Sequence, residues 1–209
     1  MKKILTFAFA LLLMFSLISC GKDEETPNTG NENQQNQQTQ ETTKDVEDTK
    51  FTIAASTKVY LTTIGQSDFD VVANIIDKTS RTDVVKEALL KASDVEQGAV
   101  VIVVTGSSTK GLGSAGTDIN AENVRAEGFA KAANEGKLTM VVVHVGGEQR
   151  RGAQADPIIR TVVPASKLVM VVETGNADGL FNTLAGSTIP CYQYTKSTKM
   201  VKPFQAMLG

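Results

Sequence analysis

The stretch Ala99-Val100-Val101-Ile102-Val103-Val104-Thr105 is an unbroken apolar run, and it leads into the glycine-rich stretch Gly106-Ser107-Ser108-Thr109-Lys110-Gly111-Leu112-Gly113. β-Branched residues dominate the run, and no polar residue alternates with the apolar ones. This pattern is typical of a strand buried on both faces of a parallel sheet. Similar runs occupy residues 59–64, 138–144 and 168–172. The sequence therefore predicts four central strands.

Segments with helical spacing separate these runs, at residues 68–79, 121–135 and 157–163. The second of them predicts one apolar side of a helix, formed by Val124, Gly128, Phe129 and Ala132. Weaker patterns predict edge strands at 83–88 and 189–194 and a closing helix at 199–208.

The alternation of strands and helices predicts an α/β fold with right-handed crossovers. We expect an open, mostly parallel sheet with helices on both faces, a three-layer sandwich of the flavodoxin-like or Rossmann-like kind. A closed eight-stranded barrel needs a longer chain.

The first nineteen residues have the pattern of an export signal, with Lys2 and Lys3 ahead of an apolar core at 4–18. This core is shorter than the about 20 residues that span a membrane. The stretch Leu17-Ile18-Ser19-Cys20 resembles the lipobox of bacterial lipoproteins, which implies cleavage before Cys20 and lipidation of its thiol. We expect a membrane anchor outside the cytoplasm; an ordinary secretory signal is the alternative.

The residue after the cysteine is Gly21. An Asp at this position of a lipoprotein would imply retention in the inner membrane. In a bacterium with two membranes, the resemblance therefore implies the outer membrane of the cell envelope.

Composition divides the remaining chain in two. Residues 20–50 hold the lipidated Cys and a polar linker that is predicted to be disordered, because almost no large apolar residue is available to bury. Residues 51–209 have the composition and length of a single α/β domain. The net charge of −2 gives no indication of nucleic-acid binding. With Cys20 lipidated only Cys191 remains, so neither an internal disulfide nor a cofactor or metal site is predicted.

A polar, glycine-rich loop follows each central strand, and in an open parallel sheet all these loops emerge at the carboxyl edge, where ligands bind. The predicted ligand-binding residues are Gly65, Gln66, Ser67, Gly106, Ser107, Ser108, Lys110, Gly111, His144, Gly146, Gly147, Arg150, Arg151, Glu173, Asn176 and Asp178. Turns from strand to helix need glycines and capping residues in any case, so a purely structural role is the alternative for several of them.

The loop at 106–118 is long for a strand-to-helix connection, which favours a binding role. Its G-x-G-x-x-G stretch at 111–116 lies too late in the chain to indicate a dinucleotide site. His144, the chain's one histidine, is either a hydrogen-bonded structural residue or an acid–base group. The adjacent Arg150 and Arg151 are either solvated charges or contacts to a carboxylate or phosphate.

Four ordered motifs resemble an uncharacterised bacterial family, the domain-of-unknown-function family numbered 6305. They are Gly65-Gln66-Ser67; Gly106-Ser107-Ser108 with Lys110-Gly111-Leu112-Gly113; His144-Val145-Gly146-Gly147 with Arg150-Arg151-Gly152; and Gly175-Asn176 with Asp178-Gly179. The resemblance covers about residues 59–194. It implies an exported protein of this alternating architecture and carries no established activity.

Three functions remain open on sequence alone. The first is a lipid-anchored domain that binds a small anionic or polar ligand at the carboxyl edge of the sheet. The second is a hydrolase-like enzyme in which His144 serves as base beside Ser107 or Ser108, although the nucleophile motif G-x-S-x-G is absent. The third is an envelope module that contacts a protein partner of unknown identity.

Overall fold

The computed structural model describes residues 44–209, so the predicted signal, Cys20 and most of the predicted linker lie outside the described residues. Six strands form one sheet in the order β2-β1-β3-β4-β5-β6, and every neighbouring pair is parallel. The strands are β1 (Val59–Ile64), β2 (Val85–Lys86), β3 (Val100–Thr105), β4 (Thr139–His144), β5 (Leu168–Val172) and β6 (Cys191–Tyr194). The open α/β sheet predicted from the sequence is confirmed.

Helices cover both faces of the sheet. They are α1 (Phe69–Ile76), α2 (Thr109–Ala115), α3 (Ile119–Asn134), α4 (Ala155–Val162), α5 (Leu180–Ala185) and α6 (Val201–Leu208). Short 3-10 turns lie at Ala92–Asp94, Glu148–Arg150, Val163–Ala165, Glu173–Gly175 and Ser197–Met200.

Alternate residues of each strand enter two separate apolar cores. Val101 and Val103 of β3 pack in the core beneath α3, α4 and α5, whereas Ile102 and Val104 pack in the core beneath α1 and α6. Because both faces of the strands are covered, apolar residues follow one another along them without a regular alternation with polar ones. The three-layer arrangement follows from this double burial.

The strand order 2-1-3-4-5 is that of the flavodoxin-like sandwich, with β6 added at one edge. The chain leaves β1 toward β2 on one side and later returns to place β3 on the other side. The order therefore reverses between β1 and β3. In open sheets this reversal opens a crevice outside the carboxyl ends of the two strands.

Two details of the sequence-based expectation are wrong. The predicted long loop after β3 contains α2, which begins where the Ser108 side chain accepts from the N–H of Gly111 and ends at Gly116 with φ +66. Val124 is 66% exposed, although Phe129 and Ala132 of the same predicted side are buried, because α3 turns the carboxylate of Glu122 toward the sheet instead of Val124. The glycines of α2 are not typical of a helix, so the sequence predicted a loop there. The buried charge of Glu122 is not typical of the inner side of a helix such as α3.

The segment before β1 lies along the outer edge of β6. The N–H of Asp45 donates to the carbonyl of Gln193 at 2.8 Å, and Lys44 forms an isolated parallel bridge with the same residue. Further on, Glu47 pairs with Lys202 at 2.5 Å. Residues 44–50, which fall in the predicted linker, thus contact the domain. Among residues 44–209, no helix combines the length and the apolar character that crossing a membrane requires.

Candidate functional site

The loops after β1 and β3 lie against each other at the point where the strand order reverses. The N–H of Ser108 donates to the carbonyl oxygen of Gly65 at 3.1 Å. A Cβ on Gly65 would overlap the carbonyl oxygen of Gly106, and the residue has φ +96. Only glycine satisfies both the conformation and the close approach at position 65.

The loop after β4 joins the same place. The N–H of Ser107 donates to the carbonyl oxygen of Arg150 at 3.1 Å. A Cβ on Gly106 would lie 2.9 Å from the Oγ of Ser67 and 3.1 Å from the Cβ of Arg150. Three loops that are distant along the chain therefore meet, and we call residues 65–68, 106–108, 146 and 150 the switch-point cluster.

Two residues of this cluster have backbone conformations that non-glycine residues rarely adopt. Gln66 and Asp68 both have φ 56, within one four-residue turn. The Oγ1 of Thr63 holds the turn from below, since it donates to the carbonyl of Ser67 at 2.9 Å and accepts from its N–H at 3.3 Å. Strain of this kind persists only where the surroundings fix it, and it concentrates at functional sites.

A buried carboxylate fixes this turn from the side of α3. Glu122 has no exposed side-chain surface and accepts from the N–H of Gly65 at 2.7 Å and from the Nε2 of Gln66 at 3.1 Å. Its charge is balanced by Arg125, whose Nη1 lies 2.8 Å from the carboxylate. The signal in the sequence is the E-x-x-R pair formed by Glu122 and Arg125, two residues that the predicted apolar side of this helix did not include.

The guanidinium of Arg125 also holds the edge of the sheet. It donates to the carbonyl oxygens of Thr63, Ala88 and Leu90 at 2.8–3.2 Å, and to the Oγ1 of Thr62 at 3.0 Å. All these bonds come from a side chain that is 11% exposed. Arg125 and Glu122 together connect α3 to the carboxyl end of β1 and to the segment that follows β2.

Of the two arginines predicted to bind a ligand, Arg150 is the one whose guanidinium is free to do so. Its side chain is 38% exposed and makes one contact with an opposite charge, Nε to Oδ2 of Asp68 at 3.6 Å. Within residues 44–209 its guanidinium makes no hydrogen bond. A Cβ on Gly146 would overlap the side chains of both Arg150 and Asp68, so glycine there allows the two to approach.

The guanidinium of Arg151 is already paired with carboxylates of the domain. Its Nε lies 2.8 Å from Oδ1 of Asp156 and its Nη2 lies 2.8 Å from Oδ2 of Asp178. The same guanidinium donates to the carbonyl of Gly175 and lies 5.5 Å from the ring centre of Phe181. With 9% of the side chain exposed, Arg151 links the loops after β4 and β5 and has no free donor edge for a ligand.

These ion pairs change the acidity of both carboxyl groups. Burial acts to raise the pKa of Asp156, but hydrogen bonds from Arg151 and from the N–H of Gly152 outweigh it, so the pKa lies below its usual value. The hydrogen bond from Arg151 also lowers the pKa of Asp178. Both groups therefore carry a full negative charge at neutral pH.

The ring of His144 is enclosed and has no exposed surface. Its Nδ1 lies 2.9 Å from the carbonyl oxygen of Thr105, and its Nε2 lies 3.0 Å from the carbonyl oxygen of Gly147. Burial lowers the pKa of His144, and the two carbonyl oxygens oppose that shift. Phe181 packs on the ring with 5.3 Å between centres.

Ser107 makes no contact with this histidine. Its Oγ donates to Oε1 of Gln154 at 3.0 Å, while both ring nitrogens of His144 face backbone carbonyls. The structure does not bring the predicted nucleophile and base together. The sequence left two roles open for His144, a structural residue or an acid–base group. Its contacts are those of a structural residue.

The residues of α2 have different roles. Ser108 caps the helix, and Gly111 packs so closely on the turn after β1 that a Cβ would overlap the carbonyl oxygen of Gln66. Lys110, in the first turn, is exposed. Gly111 is therefore needed for packing, and Lys110 is the predicted residue of this helix whose charge faces solvent.

The predicted residues after β5 are bound within the fold. Glu173 pairs with Lys44. Asn176 is 4% exposed, and its Oδ1 accepts from the N–H of Phe181 at 2.9 Å, which fixes the start of α5. A Cβ on Gly147 would lie 2.7 Å from the Oγ1 of Thr174, so this loop packs closely on the loop after β4.

A cleft of about 360 Å³ lies between the loops after β4 and β5. It is lined by Glu148, Arg151, Gly152, Asp156, Thr174, Ala177 and Asp178. Two of its three carboxylates, those of Asp156 and Asp178, already neutralise its one arginine, so the cleft does not suit an anion. Among residues 44–209, no group of three or more His, Cys, Asp or Glu is arranged to hold a metal ion.

One family model matches the chain, over residues 56–208, and its description reads "Domain of unknown function (DUF6305)". The match spans more than half of the chain and includes all six strands. Comparisons with curated proteins and with solved structures found no match.

Replacing Glu122 with Ala leaves Arg125, Gln66 and the N–H of Gly65 without their buried partner. We expect a loss of about 3–5 kcal/mol in the free energy of unfolding. Urea unfolding followed by circular dichroism measures it. The matched control is Glu127→Ala on the same helix, where an exposed carboxylate makes no ion pair within residues 44–209 and the expected change is below about 0.5 kcal/mol. Equal effects of the two substitutions would contradict the role assigned to Glu122.

The lowered pKa values of Asp156 and Asp178 predict a pH dependence of stability. A carboxyl group with a lowered folded-state pKa stabilises the fold above its unfolded-state pKa of about 3.9, and this stabilisation is lost as the pH falls through the folded-state value. Urea unfolding between neutral pH and pH of about 2 should therefore show a smaller acid-induced loss for Arg151→Ala than for the unsubstituted chain. An unchanged acid dependence would contradict the assignment.

Proposed function

The chain belongs to the DUF6305 family, whose description names no activity, and we propose that it is a lipid-anchored extracytoplasmic domain that binds a small anionic or polar ligand. The proposed site is the switch-point cluster at the carboxyl edge of the sheet. The observation that carries the proposal is the guanidinium of Arg150, which is half-buried there and makes no hydrogen bond within residues 44–209.

Arg150 has the chemistry that an anion needs. A guanidinium offers several N–H groups in one plane, which match two oxygens of a carboxylate or phosphate at once. Its present partner, Asp68, is 3.6 Å away, and exposed pairs of this kind contribute at most about 1 kcal/mol. A ligand anion is therefore able to replace this contact, while the Oδ2 of Asp68 keeps the hydrogen bond that it accepts from Ser67.

The surroundings of Arg150 support preorganisation. The turn at 65–68 holds two strained residues, and a buried carboxylate and Thr63 fix it without help from a ligand. A site that is rigid before binding loses less entropy when the ligand arrives. Open α/β sheets also bind ligands at this position, outside the strands where the order reverses.

The proposal is narrower than the residue set expected from the sequence. Arg151, Asn176, Glu173 and His144 have partners within the domain, so we assign binding to the side of the edge that holds Arg150, with Lys110 as a second exposed cation. The hydrolytic alternative lacks a supporting contact, because Ser107 bonds to Gln154 and not to His144. For the third function, an envelope module that contacts a protein partner, no contact of these loops offers specific support.

The anchor is the second part of the proposal, and it rests on residues outside the described range. Residues 1–19 have the charge and apolar pattern of a signal, and Cys20 ends a lipobox-like stretch. Several acyl chains on one residue hold a protein at a membrane firmly, since each buried methylene contributes about 0.8 kcal/mol. We place the domain in the cell envelope, at the outer membrane where the bacterium has two.

Removing the guanidinium of Arg150 should abolish ligand binding without weakening the fold. In a thermal-unfolding panel of phosphate, sulfate and small carboxylates, a ligand that binds should stabilise the unsubstituted chain by about 2.7 kcal/mol at 100 times its dissociation constant, and further with the logarithm of its concentration. Arg150→Ala should lose this shift and change the unliganded stability by less than about 0.5 kcal/mol. The control is Arg160→Ala, an exposed arginine on α4 that should keep the shift. A panel without any shift, or a shift that survives in Arg150→Ala, would overturn the assignment.

The anchor predicts that the two cysteines behave differently. Cells fed a fatty-acid analogue that carries a clickable tag should attach the tag to the chain and to Cys191→Ser, but not to Cys20→Ser. Mass spectrometry of the N-terminal peptide should find a mature chain that begins at a lipid-modified Cys20. A tag retained by Cys20→Ser, or an unmodified mature N-terminus, would refute lipidation at this residue.

A further inference from the structure

The flank of α3 next to β2 is left open by an unusual crossover. Residues 87–99 connect β2 to β3, and the helical structure in that range is the 3-10 turn Ala92–Asp94. Parallel strands are usually joined by an α-helix that would cover this flank. Here Arg125 of α3 contacts the connection, but Val124, one residue before it, has 66% of its surface in solvent.

A groove of about 640 Å³ occupies this open flank, between α3 and the connection. Small and apolar residues form most of its walls, among them Leu89, Ala92, Ala121, Val124 and Gly128. A second depression of about 380 Å³ shares Ala92, Ser93 and Gly128 with it and continues along α3 to Leu138. We call the two together the α3 groove.

The α3 groove contains most of the large apolar side chains that are exposed in the described part of the chain. Three large apolar side chains are exposed among residues 44–209, and two of them, Leu89 at 39% and Val124, line the groove. The third, Val71, lies on α1 at the opposite face of the sheet. Single exposed apolar residues need no explanation, but apolar residues gathered in a concave surface mark a binding site.

The rim of the α3 groove has surplus positive charge. Lys91 is exposed and makes no ion pair within residues 44–209. Farther along, Lys131 and Lys137 share the single carboxylate of Glu135, and the second of these pairs measures 2.8 Å. An apolar floor with cations at its edge complements a molecule that has a long apolar part and an anionic end.

We propose that the α3 groove binds a single-chain anionic amphiphile, with the apolar chain along α3 between Val124 and Gly128 and the anionic headgroup beside Lys91. The two depressions adjoin at Ala92 and Gly128, and these small residues leave room for a thin polymethylene chain. Its position on the flank of α3 separates this site from the ligand site proposed at the carboxyl edge.

The two other kinds of occupant fit less well. A peptide that binds in extended form needs a free strand edge for main-chain hydrogen bonds, and the walls of the α3 groove are a helix and an irregular segment. A second copy of the chain needs an interface of about 20–30 residues on each side, and two exposed large apolar residues are far from that. Crosslinking distinguishes a peptide and a second copy of the chain from an amphiphile.

Photoaffinity labelling on the full chain in membranes tests the proposal. The probe is decanoate with a photoreactive diazirine in its chain, used below its micelle concentration, and labelled peptides are identified by mass spectrometry. We expect label on peptides that include Leu89 or Val124, and we expect unlabelled decanoate to compete for it. Val124→Asp, at an exposed position that the fold tolerates, should remove the label. The matched control Val71→Asp should keep it.

The headgroup is tested by charge reversal at the rim. Lys91→Glu should reduce labelling by the decanoate probe about fivefold, the effect expected for one surface charge pair. A probe with the same chain and a trimethylammonium headgroup should label the unsubstituted chain less than decanoate does and label Lys91→Glu more. The control Lys78→Glu, another exposed lysine, should change neither probe.

Several results would overturn the proposal. Label that maps outside the α3 groove, that unlabelled decanoate does not displace, or that Val124→Asp retains would do so. Headgroup preference unchanged in Lys91→Glu would also overturn it. Chain-to-chain crosslinks through residues 89 and 124 would assign the groove to a second copy, and a co-purified peptide crosslinked there would assign it to a protein partner.

Discussion

The turn after β1 keeps its shape because a fully buried carboxylate, Glu122, faces it from α3. This group accepts from the backbone of Gly65 and from the side chain of Gln66, and Arg125 neutralises its charge. A buried carboxylate is costly unless charge and hydrogen bonds compensate it, so these contacts depend on one another. The strained residues at 66 and 68 are held in a conformation that an isolated turn would leave. The bond from Gly65 to Glu122 thus holds the start of the turn, and the Oγ1 of Thr63 holds its end.

The same pair explains how the sheet edge is held without a crossover helix. Arg125 donates to the carbonyls of Ala88 and Leu90, so hydrogen bonds fix the β2–β3 connection where helix packing would ordinarily do so. The flank of α3 is left open as a consequence, and Arg125 itself lines the groove that forms there. The Glu122–Arg125 pair therefore affects both proposed sites. It holds the turn of the switch-point cluster, and Arg125 also lines the α3 groove.

The sequence predicted the sheet because strands buried on two faces carry apolar residues at consecutive positions, as in the central residues of β3 and β4. It also predicted that the loops meet, since parallel strands end at one edge. The prediction was wrong at α2, where the glycines indicated a loop although the segment is a capped helix. It was also wrong at Val124 of α3, because a buried Glu122 interrupts the apolar pattern of the inner side. Arg150 and Arg151 look alike in sequence; only the positions of Asp156 and Asp178 in space show that the second arginine is occupied.

Amide hydrogen exchange at Gly65, followed by NMR on the unliganded chain, tests the central interaction most directly. A turn residue whose N–H is bonded to a buried, charge-neutralised carboxylate should exchange only when the domain opens, as slowly as the neighbouring strand amide of Thr63. Exchange of Gly65 at the fast rate of an exposed loop amide, with β1 still protected, would mean that Glu122 does not hold the turn.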